Sequence, residues 1–180
     1  MLANVAAFLV LGADRPPRPS LAMAANDGGP SRGLAPRDIP QQSLPGVALT
    51  FTGVRPGGPG STATPHCFLL AETPARRARG LMGRRSLGGF SGMAFVYPAA
   101  SSDSYFMRDT PMPLQIAFFT GSGMFVSSAA MTPCPASRAT CPLYSAARPF
   151  RLAVEVREDG LAALGVGPGT VAHLRGPCAA

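Results

Sequence analysis

Apolar and polar side chains alternate with a period of two through several short stretches of this chain. In "VALTFTGV" at 47–54, Val47, Leu49 and Phe51 point one way and Ala48, Thr50 and Thr52 the other, which predicts a half-buried strand. Further strands are predicted over 66–71, 93–97, 104–108, 114–120, 124–131, 150–157 and 170–174. "TGSG" at 120–123 reads as a hairpin turn. Within 150–157, Leu152, Val154 and Val156 alternate with Ala153, Glu155 and Arg157. This places Glu155 on the polar side, where a solvated ion pair with Arg151 or Arg157 is expected rather than a catalytic acid.

One stretch carries helical spacing instead. Thr73 fits an N-cap and Pro74 the first helical position. Ala75, Ala78 and Met82 share a face with Leu81 beside them, and Gly80 and Gly83 end the helix. Many short strands between turn signals, with one small helix, predict a mainly β fold. The expected architecture is an antiparallel jelly-roll-like sandwich or distorted barrel with one short helix, forming a single domain over 46–176.

The front of the chain differs. Residues 2–13, "LANVAAFLVLGA", form an apolar run too short to cross a bilayer and of signal-peptide length, without the basic leader such a peptide needs. Residues 1–13 therefore read either as a truncated signal peptide or as a tail with a chance apolar patch. Residues 14–45 are rich in Pro, lack apolar periodicity and read as a disordered linker. No later segment is long and apolar enough for a membrane helix. Export to the cell envelope or medium is the leading expectation, with the cytoplasm as the alternative.

The net charge is +7 and all 16 basic residues are Arg. Such a surplus suits an acidic partner, either a small acidic ligand or an anionic envelope component. It also suits translation from GC-rich codons, given the Ala, Gly, Pro and Arg content. The Arg-rich segment "RARGLMGRR" has no interleaved aromatics and belongs to no recognised nucleic-acid module, so nucleic acid is not an expected partner.

Six residues separate Cys134 and Cys141 in a Pro-rich loop, which in an exported protein predicts a local disulfide. Zinc is the rival, but no Cys-x-x-Cys and no nearby His supports it. Reduced thiols are the cytosolic reading. Cys67 is expected to be a small buried apolar side chain, and Cys178 is open to being free. His66 and His173 fall in no Ser–His–Asp or Cys–His pattern. No metal and no cofactor is expected.

Met107, Arg108, Asp109 and Thr110 form a polar knot in an apolar neighbourhood, just before "PMP". One reading is a pocket in which Asp109, Gln115 and Arg84 bind a polar ligand. The other is a turn that Asp109 and Thr110 cap through side-chain-to-backbone hydrogen bonds.

The blocks "RARGLMGR", "GMAFVY", "FMRDT", "PLQIAFF", "MTPC", "CPLYS", "LAVEV" and "LGVGPG" run in order from about Ala71 to Val171. In order and spacing they resemble a bacterial and archaeal domain-of-unknown-function family, DUF192. The resemblance implies a small all-β fold of jelly-roll-like form, often exported, with no settled substrate. Three positions depart from its usual pattern: Phe106 stands for Trp, Asp109 for Asn and Gln115 for Asp. The change at Gln115 removes a carboxylate, so hydrogen bonding rather than acid–base chemistry is implied there.

Three functions compete. The first is a non-enzymatic domain binding a small polar or acidic ligand through Arg84, Met107, Arg108, Asp109, Thr110 and Gln115. The second is a hydrolase-like enzyme using Asp109 with Arg84. The third is a structural interaction module with no ligand.

Overall fold

The first strand, β1 (Gly46–Thr52), buries Val47, Leu49 and Phe51 on one face, as their alternation requires. The computed structural model describes residues 44–53 and 64–180, all within one compact unit, Leu34–Ala180. The leader expected over 1–13 and the linker expected over 14–45, its last two residues apart, lie outside the described residues.

After β1 come β2 (His66–Ala71), the short helix α1 (Pro74–Arg79) and the long strand β3 (Gly92–Ser101). The two-residue strand β4 (Ser104–Tyr105), the hairpin of β5 (Leu114–Phe119) and β6 (Phe125–Met131), and the two-residue strand β7 (Tyr144–Ser145) follow. The chain ends with β8 (Phe150–Arg157), one turn of helix α2 (Gly160–Ala163) and β9 (Val171–Cys178). The fold is mainly β, as expected. Seven strands form one sheet in the order β6-β5-β8-β3-β2-β1-β9, and β4 pairs with β7 beside it. All pairings in the large sheet are antiparallel except β2 with β3. That parallel pair requires a crossover, which α1 and the turns after it supply. Its two edges meet only at an isolated bridge, Met124 to Val171, so the sheet coils without closing into a barrel.

Each face of the sheet carries its own core. One gathers Leu49, Phe51, Phe68, Phe119, Val154 and Val156. The other gathers Met93, Phe95, Tyr97, Ile116, Phe118 and Ala153 beneath α1, β4 and the loops. The central strands are thus covered on both sides, which is why "LAVEV" in β8 is nearly continuously apolar. Gly92 opens β3 where the Glu155 carbonyl approaches so closely that a Cβ would collide with it and press tightly on the Phe68 ring. Gly92→Ala is expected to cost about 1–3 kcal/mol. The readout is a lower urea midpoint with an unchanged slope; an unmoved midpoint would mean the strands have slack there.

Three details differ from expectation. The segment 104–108 is a strand only at Ser104–Tyr105, and Arg108 makes just an isolated bridge to Cys134. The second helical turn, α2, carries no sequence signal beyond a few Ala and Leu. Cys67 and Cys178 are bonded to each other, with Cα atoms 5.9 Å apart, rather than buried alone and free. Their strands, β2 and β9, flank β1, so this bond clasps the first strand from both sides. Cys134 and Cys141 form the second disulfide. Among the described residues no helix is long and apolar enough to cross a membrane.

Candidate functional site

Helix α1 starts as its sequence dictates. The Thr73 hydroxyl accepts from the Arg76 N–H at 3.3 Å, and Pro74 needs no partner. None of its own residues is buried. The apolar anchor is Leu81, 2% exposed, one residue past the Gly80 cap, rather than the Ala75–Ala78 face. Gly80 takes a positive φ of 50°, which turns the chain down toward the sheet. Opposite, Tyr105 is clamped by edge-on contacts to Phe95 and Phe118, with ring centroids 5.1 and 5.6 Å away.

Between these two supports runs a cleft of about 340 Å³. Phe95 and Tyr97 of β3 and Glu155 of β8 form its floor. Arg77, Arg79, Leu81 and Met82 line one side; Asp103, Tyr105, Phe106 and Thr110 line the other. The "GLMGR" and "YFMRDT" blocks therefore wall the same cleft. They are also tied together, since the Gly83 N–H donates to the Asp109 carbonyl at 2.7 Å. The disulfide loop braces the same turn: the Asp109 N–H donates to the Cys134 carbonyl, and the Cys134 N–H to that of Met107.

Glu155 stands between Met93 and Ile116 in the sheet and is 5% exposed. No protein group among the described residues hydrogen-bonds its carboxyl group. Burial alone pushes its pKa up to about 8, because an unpaired charge in an apolar surrounding is costly and the group takes a proton instead. The expected solvated pair with Arg151 or Arg157 is not formed. Arg151 donates to the backbone carbonyls of Tyr97 and Pro98, and β8 has no solvent face at Glu155. Sequence reasoning missed this residue; the unbroken apolar run around it was the available signal.

Beside Glu155 the Tyr97 and Tyr105 hydroxyls lie 3.0 Å apart. Burial raises the pKa of both, so both stay protonated; in Tyr97 the bond to Tyr105 partly offsets this, whereas in Tyr105 the bond to Tyr97 adds to it. One hydroxyl donates to the other, which leaves one proton of the pair, and the Asp103 carboxylate lies near enough to Tyr97 to compete for it. The Arg77 guanidinium sits 4.5 Å above the Tyr97 ring and donates to the carbonyls of Glu72 and Val96.

Of the residues singled out from sequence, Thr110 reaches this cleft; its hydroxyl donates to the Arg108 carbonyl at 3.3 Å. Met107 is core, 1% exposed. The Arg108 guanidinium holds the disulfide loop through the carbonyls of Arg138 and Ala139, both at 3.2 Å. Asp109 occupies the turn with a φ of 50°. The Gln115 side-chain oxygen accepts from the Leu161 N–H at 3.2 Å, at the start of α2. Arg84 is half-buried, and burial, then the charge of Arg79, lowers its pKa. It forms no ion pair with Asp109; the ion pair among the described residues is Arg76 with Glu72. Neither Arg84 nor Asp109 lines the cleft.

Two solved structures share this architecture. A protein of unknown function from Novosphingobium aromaticivorans DSM 12444 is 29% identical, with a TM-score of 0.60 over 78% of this chain and 94% of that one. A protein from Sinorhizobium meliloti 1021, provisionally described as a transcription regulator, is 22% identical, with a TM-score of 0.58 over 73% and 95%. At that identity the second is a likeness of fold alone. No curated protein matches the sequence. The family model for DUF192, described as "Uncharacterized ACR", matches residues 60–174, and the chain belongs to that family.

Proposed function

We propose that this chain is an exported, non-enzymatic binding domain that holds a small polar ligand in the cleft above Glu155. One observation carries the reading: Glu155, 5% exposed, has no hydrogen-bond partner for its carboxyl group among the described residues, and the group opens onto a cleft with both apolar and polar walls. Buried polar groups are ordinarily hydrogen-bonded, and concave apolar sites with a few convergent polar groups are where small ligands bind. The two disulfides support an oxidising compartment, hence export. A hydrolytic role for Asp109 with Arg84 gains nothing from this geometry, because the two are unpaired and outside the cleft.

The test is a fragment screen followed by NMR. Binders are expected to shift the signals of Phe95, Tyr97 and Tyr105 together. Ala78 is exposed on the cleft side of α1, so Ala78→Trp plugs the opening without touching the core. Binding should weaken at least tenfold in that variant. Fragments that map to the Arg84–Asp109 turn instead, and bind the plugged variant equally well, would place the site elsewhere.

A further inference from the structure

The hydrogen-bonding inventory of the cleft is lopsided. A buried, unpaired Glu155 is neutral and carries one O–H donor. The Tyr97–Tyr105 pair has one further proton, for which a ligand competes with the Asp103 carboxylate beside Tyr97. The Arg79 side chain, at the rim, bonds to no partner among the described residues. Against these donors the rim sets one carboxylate, Asp103. The groups facing Glu155 and its cleft are therefore Tyr97 from β3, Tyr105 and Asp103 from β4 and its approach, and Arg77 and Arg79 from α1, while β5 contributes the apolar Ile116. A cationic ligand would meet two guanidiniums on entry. An anionic one would be drawn in by them and find donors at the floor.

We propose that the cleft binds a small carboxylate whose head accepts a hydrogen bond from a protonated Glu155, with Arg79 at the rim and the ligand's apolar body against Phe95 and Tyr105. A carboxylic acid kept neutral by its apolar surroundings is a good donor to an anion, and two ionised carboxylates in contact repel. Binding and protonation of Glu155 are then linked. This rests on the cleft being the binding site, and the probes separate the two claims.

The experiment compares benzoate and butyrate with benzylamine and butylamine, matched in shape and opposite in charge. Affinity is measured by NMR titration at pH 6 and pH 9 on wild type and on Glu155→Gln. The amide keeps a donor and cannot ionise. Carboxylates are expected to bind wild type about tenfold more weakly at pH 9, because the competent, protonated fraction falls to about a tenth. Glu155→Gln should bind them equally at both pH values. If the amines bind in the cleft, strengthen with pH and lose binding in Glu155→Gln, the ligand class is wrong while the cleft stands. If carboxylates bind wild type with no pH dependence, the donor role of Glu155 is wrong. If neither class shifts Phe95, Tyr97 or Tyr105, the carboxylate assignment falls, and the fragment screen with Ala78→Trp decides separately whether the cleft binds at all.

Discussion

Glu155→Gln should leave stability nearly unchanged at pH 4.5 and raise it by about 5 kcal/mol at pH 8. An unfolded Glu ionises near pH 4.5, whereas in the folded protein burial holds the proton on Glu155 up to about pH 8. Between these values the folded state keeps a proton that the unfolded state has released, so rising pH favours unfolding. The stability Glu155 contributes is full below pH 4.5 and falls by about 1.4 kcal/mol per pH unit until it is lost near pH 8. Gln imitates the protonated acid and removes the slope. The other acids titrate in both proteins, so the difference between variant and wild type isolates Glu155. Urea unfolding followed by circular dichroism at several pH values measures it. A difference that stays flat from pH 4.5 to pH 8 would mean that Glu155 has found solvent or a partner.

The second large effect belongs to the Cys67–Cys178 bond. It closes a chain segment with a sequence separation of 111, against 7 for Cys134–Cys141. Loop entropy in the unfolded chain assigns about 5 kcal/mol to the first and about 2.5 kcal/mol to the second. The longer bond also clasps β1, which pairs with both bonded strands and supplies Val47, Leu49 and Phe51 to the core. The double variant Cys67→Ala/Cys178→Ala should therefore lose roughly twice the stability lost by Cys134→Ala/Cys141→Ala. Paired urea unfolding curves decide the ranking, and a larger loss from the short loop would overturn it. Losing the short bond should show itself locally instead, as broadened Met107 and Thr110 signals, because the Cys134 backbone braces that turn.

Local signals in the sequence were strong where one physical rule acted alone. The β2 and β8 spans fall at the expected residues, and in β8 alternation and flanking turns agree. Thr73 and Pro74 mark the start of α1 without help from tertiary contacts. Errors arose where distant parts of the chain decide. Alternation in β8 marks two faces but cannot say that α1 and β4 cover the second one, so Glu155 was assigned to solvent. Cys67 and Cys178 are far apart in sequence, and only the sheet order brings them together. Of the cleft, the neighbourhood of Arg84 and of Met107 to Thr110 was legible as a candidate binding region. Its most conspicuous charged residues, Arg84, Arg108 and Asp109, lie along the supporting turn, while Thr110 and the aromatic residues reach the opening.

The carboxylate assignment for the cleft turns on the state of one carboxyl group. Carbon-13 NMR of the Glu155 side-chain carboxyl, followed from pH 4 to pH 10, reads that group alone. A titration midpoint near 8 is expected, and a midpoint near 4.5 would contradict a neutral, buried acid at the floor of the site.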